Sequence, residues 1–184
     1  MKDVTILIQG KISQETYNYY VETFPQFPIV ISTWSDHTLD LSYFPHNVHF
    51  IQAKLPKENG EQNMNYQFVS TINGLNNVST KYVVKVRGDE YYSNLQYVLN
   101  SIKVEPYKIH TSSIFFRAWQ YAEYHISDHI IAGTLSNMLI MFKESKYNLS
   151  LNTINLKTEN GNEKLIKVFF KYPQKTRSLL LALN

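Results

Sequence analysis

Residues 85–90 read Lys-Val-Arg-Gly-Asp-Glu. Two cations stand before a glycine and two adjacent carboxylates follow it. Carboxylates such as Asp89 and Glu90 suit a hard divalent cation, Mg2+ or Mn2+. Such an ion is commonly held by one or two carboxylates together with a substrate phosphate. Lys85 and Arg87 suit the phosphate itself, Arg through bidentate contact. Gly88 lets the backbone turn sharply or approach a ligand closely. The same residues also read as a plain surface turn with an Arg–Asp pair. A second polar group is His125, Ser127, Asp128 and His129, between the aromatic residues Trp119, Tyr121 and Tyr124 and the run Ile130-Ile131-Ala132-Gly133. Asp128 can act as a general base on a hydroxyl, and His129 as a base or a metal ligand. Its plainer reading is a helix start capped by Ser127 or Asp128.

These groups need elements to position them. The run Tyr82–Val86 ahead of Arg87 is apolar enough for a strand buried on both faces. Val4–Gln9 and Ile29–Trp34 read the same way, and 48–55 is a further strand. Between the first two, Ser13 caps a helix whose buried stripe is Tyr17, Tyr20, Val21 and Phe24. Phe68, Val69, Ile72 and Leu75 mark a second helix, and Leu95, Val98, Leu99 and Ile102 a third. Further on, 108–119 and 125–134 read as strands or extended segments. Leu135, Met138, Leu139 and Phe142 mark a helix. Leu165, Ile166, Phe169 and Phe170 fit one more, and the apolar end LLLALN is expected to dock back.

Strand and helix alternate through residue 102, which predicts an α/β fold with a mainly parallel sheet flanked by helices. Parallel sheets bind ligands beyond the carboxyl ends of their strands. Three such ends carry polar or aromatic groups: Gln9-Gly10-Lys11, Thr33-Trp34-Ser35-Asp36 and Arg87-Gly88-Asp89-Glu90. If the strands are neighbours, the three ends converge.

Composition narrows the chemistry. The 184 residues carry a net charge of +3 and no cysteine, so disulfides, thiolate metal sites and a cysteine nucleophile are excluded. The small, evenly spread charge gives no argument for nucleic acid. No G-x-G-x-x-G, P-loop, HExxH or G-x-S-x-G pattern occurs. No run approaches the ~18 apolar residues of a membrane span. The apolar run Val4–Ile8 is too short for a signal peptide. A cytoplasmic protein is expected.

Together, Ile8-Gln9-Gly10, Ile31-Ser32-Thr33-Trp34, the segment 65–74 (NYQFVSTING), Tyr82–Asp89 and Ser127-Asp128-His129 with Gly133 occur in an order that resembles the WavE-type lipopolysaccharide-synthesis family of bacteria and large DNA viruses. The likeness covers roughly residues 4–142. It implies a GT-A-like, Rossmann-like glycosyltransferase in a single domain over 1–184, with a nucleotide-sugar half at 1–102 and an acceptor half at 103–184. It further implies that Gln9, Gly10, Thr33, Trp34 and Asn65 meet the nucleotide, with UDP the expected one, and that Lys85 and Arg87 meet its phosphates. Asp89 would hold Mn2+ or Mg2+, with Glu90 as a second acid; Asp128 would be the base acting on a glycan acceptor if the reaction inverts configuration, and would only orient the sugar or acceptor if it retains it. The departure from Asp-x-Asp is that the acids are adjacent and position 87 is Arg. The rival reading is a non-catalytic module that binds a nucleotide sugar or single-stranded nucleic acid.

Overall fold

The computed structural model describes residues 3–40, 45–59, 63–93, 95–112, 128–147, 152–157 and 163–168. The first element is strand β1, Val4–Gln9. Helix α1, Gln14–Thr23, leads to β2, Ile29–Trp34. Strand β3 is Val48–Ala53, helix α2 Met64–Leu75 and strand β4 Tyr82–Arg87. Helix α3, Leu95–Val104, precedes the two-residue strand β5, His110–Thr111. Strand β6, Ile130–Thr134, runs into helix α4, Leu135–Tyr147. Strands β7, Asn152–Lys157, and β8, Glu163–Val168, form a separate antiparallel pair.

The main sheet has six strands in the order β3-β2-β1-β4-β6-β5. The first four are parallel, and β6 runs antiparallel to both β4 and β5. The fold is α/β with a mostly parallel, Rossmann-like sheet. Its order reverses between β1 and β4, because β2 and β3 lie on one side of β1 and β4 on the other. Such a reversal opens a crevice at the carboxyl edge.

Alternation along each strand divides the core into two layers. Val4, Ile6, Ile8, Ile29, Ile31, Val84 and Val86 face α1 and α3, where they meet Tyr17, Tyr20, Leu95, Leu99 and Ile102. Leu7, Val30 and Val83 face α2 and α4, where they meet Phe68, Leu75, Met138 and Phe142. Helices on both faces explain why β1 and β2 are buried at every position. Ser13 caps α1 as expected, accepting a hydrogen bond from the Thr16 amide at 3.0 Å.

One element departs from expectation. Glu163–Val168 is a strand, not a helix. Leu165 and Ile166 fit a helical spacing, but the segment pairs with β7 through six residues. Phe169, Phe170, the end LLLALN and most of 108–127, including Trp119, Tyr121, Tyr124, His125 and Ser127, lie outside the described residues.

Candidate functional site

The reversal between β1 and β4 places their carboxyl ends side by side. Gln9 pairs in register with Arg87 on one side and with Ser32 on the other. Period-two alternation sends Gln9, Ser32, Trp34 and Arg87 toward α2. The Gln9 amide donates to Ser70 Oγ at 2.9 Å, and Ser32 Oγ donates to the Ser70 carbonyl at 2.7 Å. One serine of α2 thus ties both strand ends to the helix.

Two glycines shape the edge. Gly10 has φ +92°, where an L side chain is strained, and its amide bonds the Ser32 carbonyl at 3.0 Å. At Gly88 a Cβ would stand 2.4 Å from the Lys11 carbonyl oxygen. The turn after β4 therefore lies backbone against backbone on the turn after β1. The Gly88 amide also donates to the Gln9 carbonyl at 2.8 Å.

Above this edge lies a cleft of about 520 Å³. Gln9, Gly10 and Lys11 line it from the end of β1, and Trp34 and Asp36 from β2. Leu55 follows β3, and Asn63, Tyr66 and Gln67 belong to the start of α2. Arg87, Asp89 and Asp128 close the other end. The rings of Trp34 and Tyr66 stand 5.3 Å apart, and together with Leu55 they make an apolar wall. The amino end of α2 also opens on the cleft, and its dipole favours an anion there, although the Asn65 amide is already bonded to the Asn59 carbonyl at 3.0 Å.

The charged end is organised around Arg87. Its Nε donates to Asp89 Oδ1 at 2.9 Å and its Nη2 to Asp89 Oδ2 at 2.5 Å. Its Nη1 is 3.8 Å from Asp128 Oδ2, and Nε is 3.9 Å from Glu90 Oε1. The hydrogen bond from Arg87 lowers the pKa of Asp89, and the same bond raises that of Arg87. The Asp89 side chain is 55% exposed, so this pair is worth only about 0–1 kcal/mol and can exchange partners at little cost.

Several expected residues do not reach the cleft. Glu90 turns away from Asp89: Oε2 takes a hydrogen bond from the Tyr92 hydroxyl and lies 2.7 Å from His129 Nδ1. Burial, then the neighbouring Glu90, push the Tyr92 pKa upward, so the hydroxyl stays a donor. Lys85 is fully buried, and its Nζ donates to the Asp128 main-chain carbonyl at 2.5 Å rather than to the cleft. Burial pulls its pKa down to about 8. Thr33 is fully buried and, next in the alternation to Trp34, points to the opposite face. Asn65 donates from Nδ2 to the Glu58 carbonyl at 3.1 Å and orders the loop before α2. Gln9, Gly10, Trp34, Arg87, Asp89 and Asp128 do come together. Tyr66 and Gln67 were missed as site residues, although they sit in the first turn of the helix that follows β3. Among the described residues, no three His, Asp or Glu side chains gather as a ready metal shell.

The fold is that of a doubly wound α/β protein with a cleft at its topological switch point. A model of the WavE lipopolysaccharide synthesis family matches residues 8–169. The chain belongs to that family, whose description assigns its members to lipopolysaccharide synthesis. No curated protein matches the chain at a significant level. No helix among the described residues is long and apolar enough to cross a membrane.

Proposed function

We propose that the chain is a glycosyltransferase that moves a sugar from a nucleotide-sugar donor to a hydroxyl of a glycan or glycoconjugate. The observation that carries this reading is the joining, in one cleft, of an aromatic wall to an Arg–Asp–Asp group at a sheet reversal. Tyr66 and Leu55, accessible beside the buried Trp34, suit the flat face of a base. Asp36 suits the ribose hydroxyls. Lys11, Arg87 and the amino end of α2 suit the diphosphate.

The charge of the cleft supports a cation. Two cations, Lys11 and Arg87, and three carboxylates, Asp36, Asp89 and Asp128, line it. A diphosphate entering an acidic cleft needs added positive charge. Asp89 is the carboxylate that would hold Mn2+ or Mg2+, and Arg87, released from it, would turn to phosphate oxygen. A bound divalent ion supplies Lewis-acid stabilisation of the leaving diphosphate. Asp128 takes the acceptor's proton as the acceptor oxygen bonds the anomeric carbon. The bond from that carbon to the phosphate oxygen breaks, and its electron pair leaves with the diphosphate.

Thermal unfolding with UDP, other nucleotides and their sugars, each with and without Mn2+, tests the reading. At about 100 times its Kd a true ligand stabilises by about 2.7 kcal/mol, a rise of several degrees here. A rise that needs both a nucleotide sugar and the metal, and that Asp89→Ala removes, supports it. No rise with any donor sinks it.

A further inference from the structure

Lys85 is the one lysine among the buried residues of the described core, at 0% exposure in the middle of β4. An apolar side chain would fill that place at no electrostatic cost. A buried ammonium is tolerated only where it is bonded, and it is an expensive way to hold a strand. Its bond goes to a single residue, through the main-chain carbonyl of Asp128 at 2.5 Å.

Asp128 is held a second time from a different element. On α2, the Gln67 side-chain amide donates to Asp128 Oδ2 at 2.9 Å. One bond fixes the backbone of Asp128 from strand β4. The other fixes one oxygen of its carboxylate from helix α2. Oδ1 makes no hydrogen bond among the described residues. The nearest ring nitrogen, His129 Nε2, is 3.9 Å away, beyond hydrogen-bond reach. The charged groups around this carboxylate are Lys85 and Arg87 on β4, Asp89 and Glu90 after it, and His129 beside it.

We propose that Lys85 and Gln67 are positioning residues that mount Asp128 from two elements, β4 and α2, occupying Oδ2 and leaving Oδ1 to take the proton of the acceptor hydroxyl. This deepens the transferase reading and rests on it. It gives Lys85 a role other than phosphate contact, since the Lys85 side chain does not line the cleft. Gln67 acquires a role that spacing alone did not suggest.

The test is donor turnover by the full chain across pH, in wild type, Gln67→Glu, Gln67→Leu and Lys85→Met. Gln67→Glu sets a carboxylate where an amide now touches Asp128. The acidic limb of the kcat profile should then move up by about one pH unit or more. A purely structural role for Gln67 would leave that limb in place. Gln67→Leu and Lys85→Met should lower kcat by about tenfold or more, with donor KM within about twofold. An unmoved limb in Gln67→Glu, or a Lys85→Met enzyme with kcat within about twofold of wild type, overturns the mount while leaving the transferase reading intact. A wild type that turns over no donor defeats both. Should Lys85→Met fail to fold, Gln67→Glu decides alone. Carboxyl 13C NMR of Asp128 gives a readout free of turnover: its titration should move up in Gln67→Glu, and an unchanged titration counts against the mount.

Discussion

Replacing Lys85 by methionine should stabilise the protein while impairing it. Burial pulls the Lys85 pKa from 10.5 down to about 8. At about 1.4 kcal/mol for each pH unit, the buried charge costs the fold about 3 kcal/mol at neutral pH. Methionine has nearly the same length and no charge, so that cost disappears. The Asp128 carbonyl loses its donor, which costs about 1–2 kcal/mol. The net gain is about 1–2 kcal/mol, or about 2–8 °C in Tm for a chain of this size. The pH dependence follows from the direction of the shift. Below about pH 8 the lysine is charged in both the folded and unfolded chain, and the full penalty applies. Between about 8 and 10.5 the folded state sheds the proton first, so wild-type stability rises relative to the variant. Above that window Lys85 is neutral in both states and the advantage of methionine vanishes. Paired thermal melts of wild type and Lys85→Met through this range measure the difference directly. A variant less stable than wild type at neutral pH, or a difference that stays flat through the window, would refute the reasoning.

Two further substitutions probe the cleft. Gly88→Ala drives a Cβ to 2.4 Å from the Lys11 carbonyl oxygen, against backbone that cannot rotate away. It should destabilise by about 1–3 kcal/mol, seen as a lower urea midpoint, and should weaken donor binding as the two turns separate; an unchanged midpoint would mean the turns move apart freely. Tyr66→Ala removes one side of the apolar wall. If a base stacks there, nucleotide affinity should fall by about 1–3 kcal/mol in calorimetric titration with little change in Tm, and unaltered affinity would place the base elsewhere.

Much of the frame could be read directly from residue order. The unbroken apolar runs of β1, β2 and β4 had to be buried on both faces, and only helices above and below a parallel sheet do that. Ser13 and the spacing of Tyr17, Tyr20 and Val21 marked α1. A parallel sheet then obliged the polar ends at Gln9-Gly10, Trp34 and Arg87–Asp89 to share an edge. Thr33 and Trp34 cannot share a face, because side chains alternate along a strand; the rule was available, and it places Thr33 in the core.

Other features depended on contacts between residues far apart in the chain. Adjacent acids look like a joint metal site in one dimension. Neighbouring side chains leave the chain in different directions, so Asp89 meets Arg87 while Glu90 meets His129 and Tyr92, 39 and two residues away. Lys85 looked like a phosphate ligand because it precedes a charged turn. Its burial and its bond to Asp128, 43 residues on, arise only when β6 lies antiparallel beside β4. Glu163–Val168 carries a spacing that a helix could use, and pairing with β7 made it a strand. Residue order determined the elements and the edge where a ligand would bind, because periodicity and burial are local. Which charges face that ligand and which are spent on one another was decided by the packing of distant strands, because electrostatic partners are chosen by distance in space.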